Sequence, residues 1–112
     1  MDLAGNNPTF LPNLTAHTLT CSQHDAAGAA ANKPVVFEEY GVPFPHNHTG
    51  IEVPWQQTVL ASGVAMDQFW QFATTGLSTG DSGYDVNSIW YNDTEYQVLA
   101  RDHAAAMLDK LV

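Results

Sequence analysis

The chain has 112 residues, one ordinary domain length, and 45% of them are hydrophobic, enough for a packed core. Three Lys and Arg face twelve Asp and Glu, a net charge of -9. That balance excludes a nucleic-acid binder that neutralises phosphates and a protein held on an anionic membrane surface. No apolar run approaches the about 18 residues of a membrane span. One cysteine, Cys21, excludes an internal disulfide framework and a multi-Cys zinc site.

Residues 1–22 carry Asn6, Asn7, Pro8, Pro12 and a run of threonines, which break helix and strand patterns alike. An irregular, disordered arm is expected there, with Cys21 an unpaired thiol inside it. It contains no Lys or Arg and no continuous apolar core, so no signal peptide is expected in this chain. From His24 to Asn32 the chain is Ala-rich and suits a helix end, with Pro34 forcing the stop. Val35, Val36 and Phe37 then form an apolar run entering Glu38, Glu39, Tyr40 and Gly41. Such a run between turn signals predicts a strand covered on both faces, over about residues 35–39.

Residues 41–50 hold two prolines, Asn47 and two histidines and predict a loop. A helix is expected over about residues 54–62, with Pro54 in its first turn and Gly63 at its end. Residues 64–70 predict a second strand, and residues 74–92, rich in Gly, Ser, Thr and Asp, a long loop. Thr94-Glu95-Tyr96-Gln97 has the spacing of a capping box opening a last helix over about residues 95–111. Its buried face would hold Tyr96, Leu99, Ala100, Met107 and Leu111. Strands alternating with helices predict a parallel α/β arrangement. Two parallel strands alone do not make a stable sheet, so the chain reads as part of a larger architecture.

Two places concentrate residue types that do chemistry. Residues 33–41 put the Glu38 and Glu39 carboxylates at the C-terminal end of a buried strand, followed by an aromatic and a glycine. Parallel α/β folds and barrels place catalytic groups at such strand ends. The plainer alternative is a strand end where two glutamates enter solvent. Strand alternation puts Val35, Phe37 and Glu39 on one face, and sends Glu38 with Val36 and Tyr40 to the other, towards the helix layer or a neighbouring strand. The second strand ends on Trp70, either a flat platform for a sugar ring or a core aromatic. His46 and His48 lack a third ligand at fixed spacing, so no metal site and no cofactor are expected. Three Asn-x-Thr triplets, at Asn13, Asn47 and Asn92, match the glycosylation acceptor pattern.

Lys-Pro-Val-Val-Phe-Glu-Glu-Tyr-Gly at residues 33–41, Pro-Trp-Gln-Gln from Pro54 and Asp-Gln-Phe-Trp-Gln-Phe from Asp67 resemble, in order and spacing, the last two strands of glycoside hydrolase family 5. The wording is similar to that of its fungal endo-1,4-β-mannanases. The resemblance covers residues 23–112 and implies the C-terminal portion, the last two βα units, of a (β/α)8 barrel, incomplete as a stand-alone domain. It implies retaining hydrolysis of β-1,4-mannosidic bonds in mannan, galactomannan or glucomannan, by a parent enzyme that is secreted. Glu39 carries over as the nucleophile and Trp70 as the platform under the sugar. The family's acid/base glutamate follows an asparagine, and no Asn-Glu pair occurs in this chain. A single chain of this composition is therefore expected to be inactive. A segment of a β-1,4-glucanase of the same family, or a non-catalytic product of a faulty reading frame, remains an alternative. The sequence gives no oligomeric state.

Overall fold

The computed structural model describes residues 10–110, with side chains from His17 onwards. Helix α1, Phe10–Ala31, is followed by strand β1, Val36–Tyr40, helix α2, His48–Ala61, and strand β2, Met66–Phe69. Two short strands come next, β3 at Phe72–Ala73 and β4 at Ile89–Trp90. The chain ends in one helical run: α3 at Thr94–Tyr96, a π-helical stretch at Gln97–Asp102, and α4 at His103–Lys110.

β1 and β2 pair in parallel, as the alternation of strand and helix predicts, in the register Val36 to Met66 and Phe37 to Asp67. Between Phe37 and Tyr40 the register slips, because Tyr40 pairs with Phe69. Three steps along β1 thus match two along β2, the signature of a β-bulge. β3 and β4 form a second parallel pair, Phe72 with Ile89 and Ala73 with Trp90. This pair corrects the reading of residues 74–92 as loop throughout: two-residue strands are too short to show a period of two.

The helices gather on one face of the β1–β2 pair. The core there is Cys21, Val59, Val64 and Met107, with Val35, Phe37 and Leu60 packed against it. Cys21 is fully buried, which corrects its placement in an irregular arm. The expectation of an irregular stretch up to residue 22 fails over residues 10–22, which are helical; residues 1–9 lie outside the described part. The reason is tertiary. Threonine has weak helix propensity, but the helix buries Cys21 and stacks His17 on Trp55, ring centroids 4.6 Å apart. The C-terminal stop of α1 is where the sequence places it. Asn32 takes a left-handed conformation, and the Lys33 N–H donates back to the Gly28 carbonyl at 2.9 Å, the six-to-one bond of a Schellman end.

α2 starts at His48 rather than near Pro54. Asn47 caps it, its side-chain oxygen accepting from the Gly50 N–H at 2.9 Å. Pro54 therefore sits inside the helix. The capping box at Thr94 does not form. Asp93 is the cap residue and makes no side-chain cap bond, while the Gln97 amide donates to Asp102 instead. Leu99 and Met107 are buried as the helical spacing predicts, and Leu111 lies outside the described residues. Lys110 closes the layer by donating to the Val59 and Val64 carbonyls at 2.6 and 2.7 Å.

Candidate active site

The bulge decides where Glu39 goes. Phe37 and Tyr40 both face the helices, each with its ring 6.0 Å from His17. Between these two inward-facing rings, Glu38 and Glu39 are both exposed. Glu38 does not turn towards the helix layer, because Phe37 and not Val36 faces the core; alternation from Phe37 would send Glu39 inward, and the extra residue in β1 leaves it exposed.

Tyr40 anchors the end of the strand. Its hydroxyl accepts from the Gln56 side-chain amide at 2.7 Å, and that amide also donates to the Leu99 carbonyl at 2.8 Å. Burial pushes the Tyr40 hydroxyl pKa up, and the nearby Asp67 carboxylate adds to the shift. Asp67 is itself engaged: its oxygens lie 2.8 and 2.9 Å from His103 Nε2. The side chains of that pair are nearly closed off from solvent. Asp67 therefore faces the helices and is withdrawn from the open side.

Trp70 follows directly on β2. Its N–H donates to the Tyr40 carbonyl at 2.6 Å, so the two strand ends are stitched together at the rim. The Trp70–Gln71 peptide is cis, and the indole stays 47% exposed, unlike Trp55, which is buried at 7%. Glu39, Tyr40, Gly41, Trp70 and Asn87 line one cleft of about 370 Å³. Glu39 and Trp70 also border a longer groove of about 760 Å³ along β2, with Met66, Gln68, Ala100 and Leu108. The two residues singled out in the sequence thus meet at the C-terminal ends of adjacent parallel strands.

Asn87 gave no local signal. It reaches the cleft because its carbonyl accepts from the Gln71 N–H at 3.1 Å, a contact between loops far apart in sequence. Glu52, also missed, is buried at 1%; its Oε1 accepts from the Val42 N–H at 3.1 Å. His48 is not free for a metal. Its Nδ1 lies 3.1 Å from both carboxylate oxygens of Glu95. Among the described residues no cluster of three or more His, Cys, Asp or Glu could hold a metal ion. No described helix is long and apolar enough to cross a membrane.

The chain matches no protein-family model. Individual proteins do match. It is 49% identical over 81 residues to a probable mannan endo-1,4-β-mannosidase F of Emericella nidulans, covering 71% of this chain and 18% of that protein. It is 48% identical over 85 residues to a probable mannan endo-1,4-β-mannosidase A of Aspergillus niger, covering 75% and 21%. Among solved structures, an endo-β-1,4-mannanase of Thermotoga petrophila superposes with a TM-score of 0.71 at 28% identity, over 84% of this chain and 22% of its own. An endo-1,4-β-mannanase of Rhizomucor miehei gives 0.64 at 31% identity, over 83% and 25%. A family 5 mannosidase of the same organism, at 19% identity, shares the fold over 93% of this chain with a TM-score of 0.70. The chain spans about a fifth of the length of the curated relatives it matches. In sequence and in fold, the chain is thus similar to a segment of the (β/α)8-barrel mannanases of glycoside hydrolase family 5.

Proposed function

We propose that this chain carries the nucleophile half of a site that hydrolyses internal β-1,4-mannosidic bonds with retention. The observation that carries the reading is the shared cleft of Glu39 and Trp70 at the ends of paired parallel strands. Glu39 attacks the anomeric carbon of the bound sugar as the glycosidic C–O bond breaks, forming a glycosyl ester on its carboxylate. Water then hydrolyses that ester. Trp70 offers an exposed apolar plane under the sugar ring. Mannan is the substrate favoured by the names of the curated relatives, mannan endo-1,4-β-mannosidases. A parent enzyme acting on such a polymer works outside the cell.

Retention needs a second carboxyl about 5–5.5 Å from the nucleophile to protonate the leaving oxygen. Asp67 is turned to His103, and Glu38 is the nucleophile's immediate neighbour, too close in sequence to stand across a sugar. These 112 residues alone therefore bind mannan-type chains and do not turn them over. Titration of the 5-fluorotryptophan-labelled chain with mannohexaose and with cellohexaose tests the reading by ¹⁹F NMR. The reading expects the Trp70 signal to move with mannohexaose, and the response to be lost in Trp70→Phe. An unmoved Trp70 signal, or a stronger response to cellohexaose, counts against it.

A further inference from the structure

Beneath the rim lies a polar cluster that the proposed chemistry does not use. Glu52 is 1% exposed and His48 7%. Glu52 Oε2 and His48 Nε2 are both buried without a hydrogen-bond partner among the described residues. The other atoms of the same side chains are committed, Glu52 Oε1 to the Val42 N–H at 3.1 Å and His48 Nδ1 to Glu95 at 3.1 Å. A carboxylate buried with one oxygen unsatisfied is costly, and a proton relieves that cost.

The cluster is wired to the rim by the backbone. Val42 is the second residue after β1 ends. Gly41, between Val42 and Tyr40, lies so close to the second strand that a Cβ on it would run into the Trp70 carbonyl. A shift of Val42 therefore moves Gly41 against Trp70, without any side chain between.

We infer that Glu52 is a positioning residue: through Val42 and Gly41 it fixes Trp70 and the exit of β1, and its protonation state sets that geometry. When ionised, Glu52 holds the Val42 amide with a full charge; when protonated, it holds the amide more weakly. Burial pushes its pKa up to about 7, against the Val42 amide and His48, which pull it down, while Glu95 pushes it up. The groups that face it are His48 on its own helix, Glu95 on α3 and Tyr40 on β1. The consequence for sugar binding rests on Trp70 being the platform, but the geometry does not.

The test uses no sugar, so its failure is separate from failure of the proposed function. ¹⁹F spectra of the 5-fluorotryptophan-labelled chain are followed from pH 4 to 8, with Trp70 assigned through Trp70→Phe. The inference expects the Trp70 signal to shift with a midpoint near 7, the value for Glu52. In Glu52→Gln, which keeps an oxygen for the Val42 amide, that shift is lost while the far-ultraviolet circular dichroism is retained. A flat Trp70 signal in the parent chain, or the same midpoint surviving in Glu52→Gln, overturns it. Should Glu52→Gln fail to fold, ¹³C-glutamate labelling of the parent chain decides. One side-chain carboxyl sharing the Trp70 midpoint supports the inference. Four carboxyls titrating in the ordinary range overturn it.

Discussion

At the scale of single residues, the site is mostly a matter of which side chains the strand ends leave in the open. Glu39 and Trp70 are exposed, whereas Tyr40 and Asp67 are held by Gln56 and His103. Exposed side chains without packing partners contribute little to stability. Glu39→Gln is accordingly expected to change unfolding stability by less than about 0.5 kcal/mol in urea titrations. Glu52 behaves oppositely. Its folded pKa of about 7 lies above the ordinary glutamate value of 4.5, because burial disfavours the charged form. Its contribution is complete below the lower value and is lost as pH rises through the upper one. Stability of the parent chain relative to Glu52→Gln should therefore fall between these values, with a slope approaching ~1.4 kcal/mol per pH unit. His17 works the other way, since burial depresses its pKa and its neutral form favours the fold at higher pH. Taking the difference between the two proteins cancels His17 and leaves Glu52. A difference flat across this range contradicts the assignment. Of this scale, Glu39 and Trp70 were legible as residue types in a motif. Glu52 was not, because a buried glutamate in an amphipathic stretch looks like any solvated one.

At the scale of elements, β1 and β2 were legible because apolar runs between turn signals have few other uses. Their C-terminal ends were legible for the same reason. What the sequence concealed was the bulge, which turns Glu39 off the face it would share with Phe37, since a period-two pattern carries no mark of an inserted residue. The N-terminal helix was concealed by its threonines. Its reality depends on contacts made by His17 and Cys21 with residues some 35 to 90 positions on, among them Trp55 and Met107. The capping box misled because its sequence pattern fits many turns, and here Gln97 prefers Asp102. Two substitutions check the packing. Gly41→Ala forces a Cβ into the Trp70 carbonyl, and overpacking of this kind costs about 1–3 kcal/mol. Thermal unfolding should show that loss. Leu99→Ala opens a cavity at a side chain only 1% exposed, and about 2–5 kcal/mol is expected in denaturant titrations. Loss of under 0.5 kcal/mol in either would show that the contact is not formed in solution.

At the scale of the molecule, the helix side of the β1–β2 pair carries the core and the opposite side is open. Val36 and Met66, paired in register, are 41% and 44% exposed on the face that a closed barrel turns inward. The chain presents an inner barrel wall to water, which the two-strand count already pointed to. The architecture was thus readable as a segment of something larger, while its second strand pair and its first helix were not. The separation between nucleophile and acid gives the account its sharpest consequence. A sugar with a good leaving group needs no acid to depart, whereas mannan does. The 112-residue chain should leave mannan uncut, yet be glycosylated by a 2-deoxy-2-fluoromannosyl donor bearing a dinitrophenolate leaving group. Intact-mass measurement followed by peptide mapping reads the result. One adduct is expected, on Glu39, absent from Glu39→Gln. An adduct on Glu38 or Asp67, no adduct at all, or mannan turnover that disappears in Glu39→Ala would contradict it.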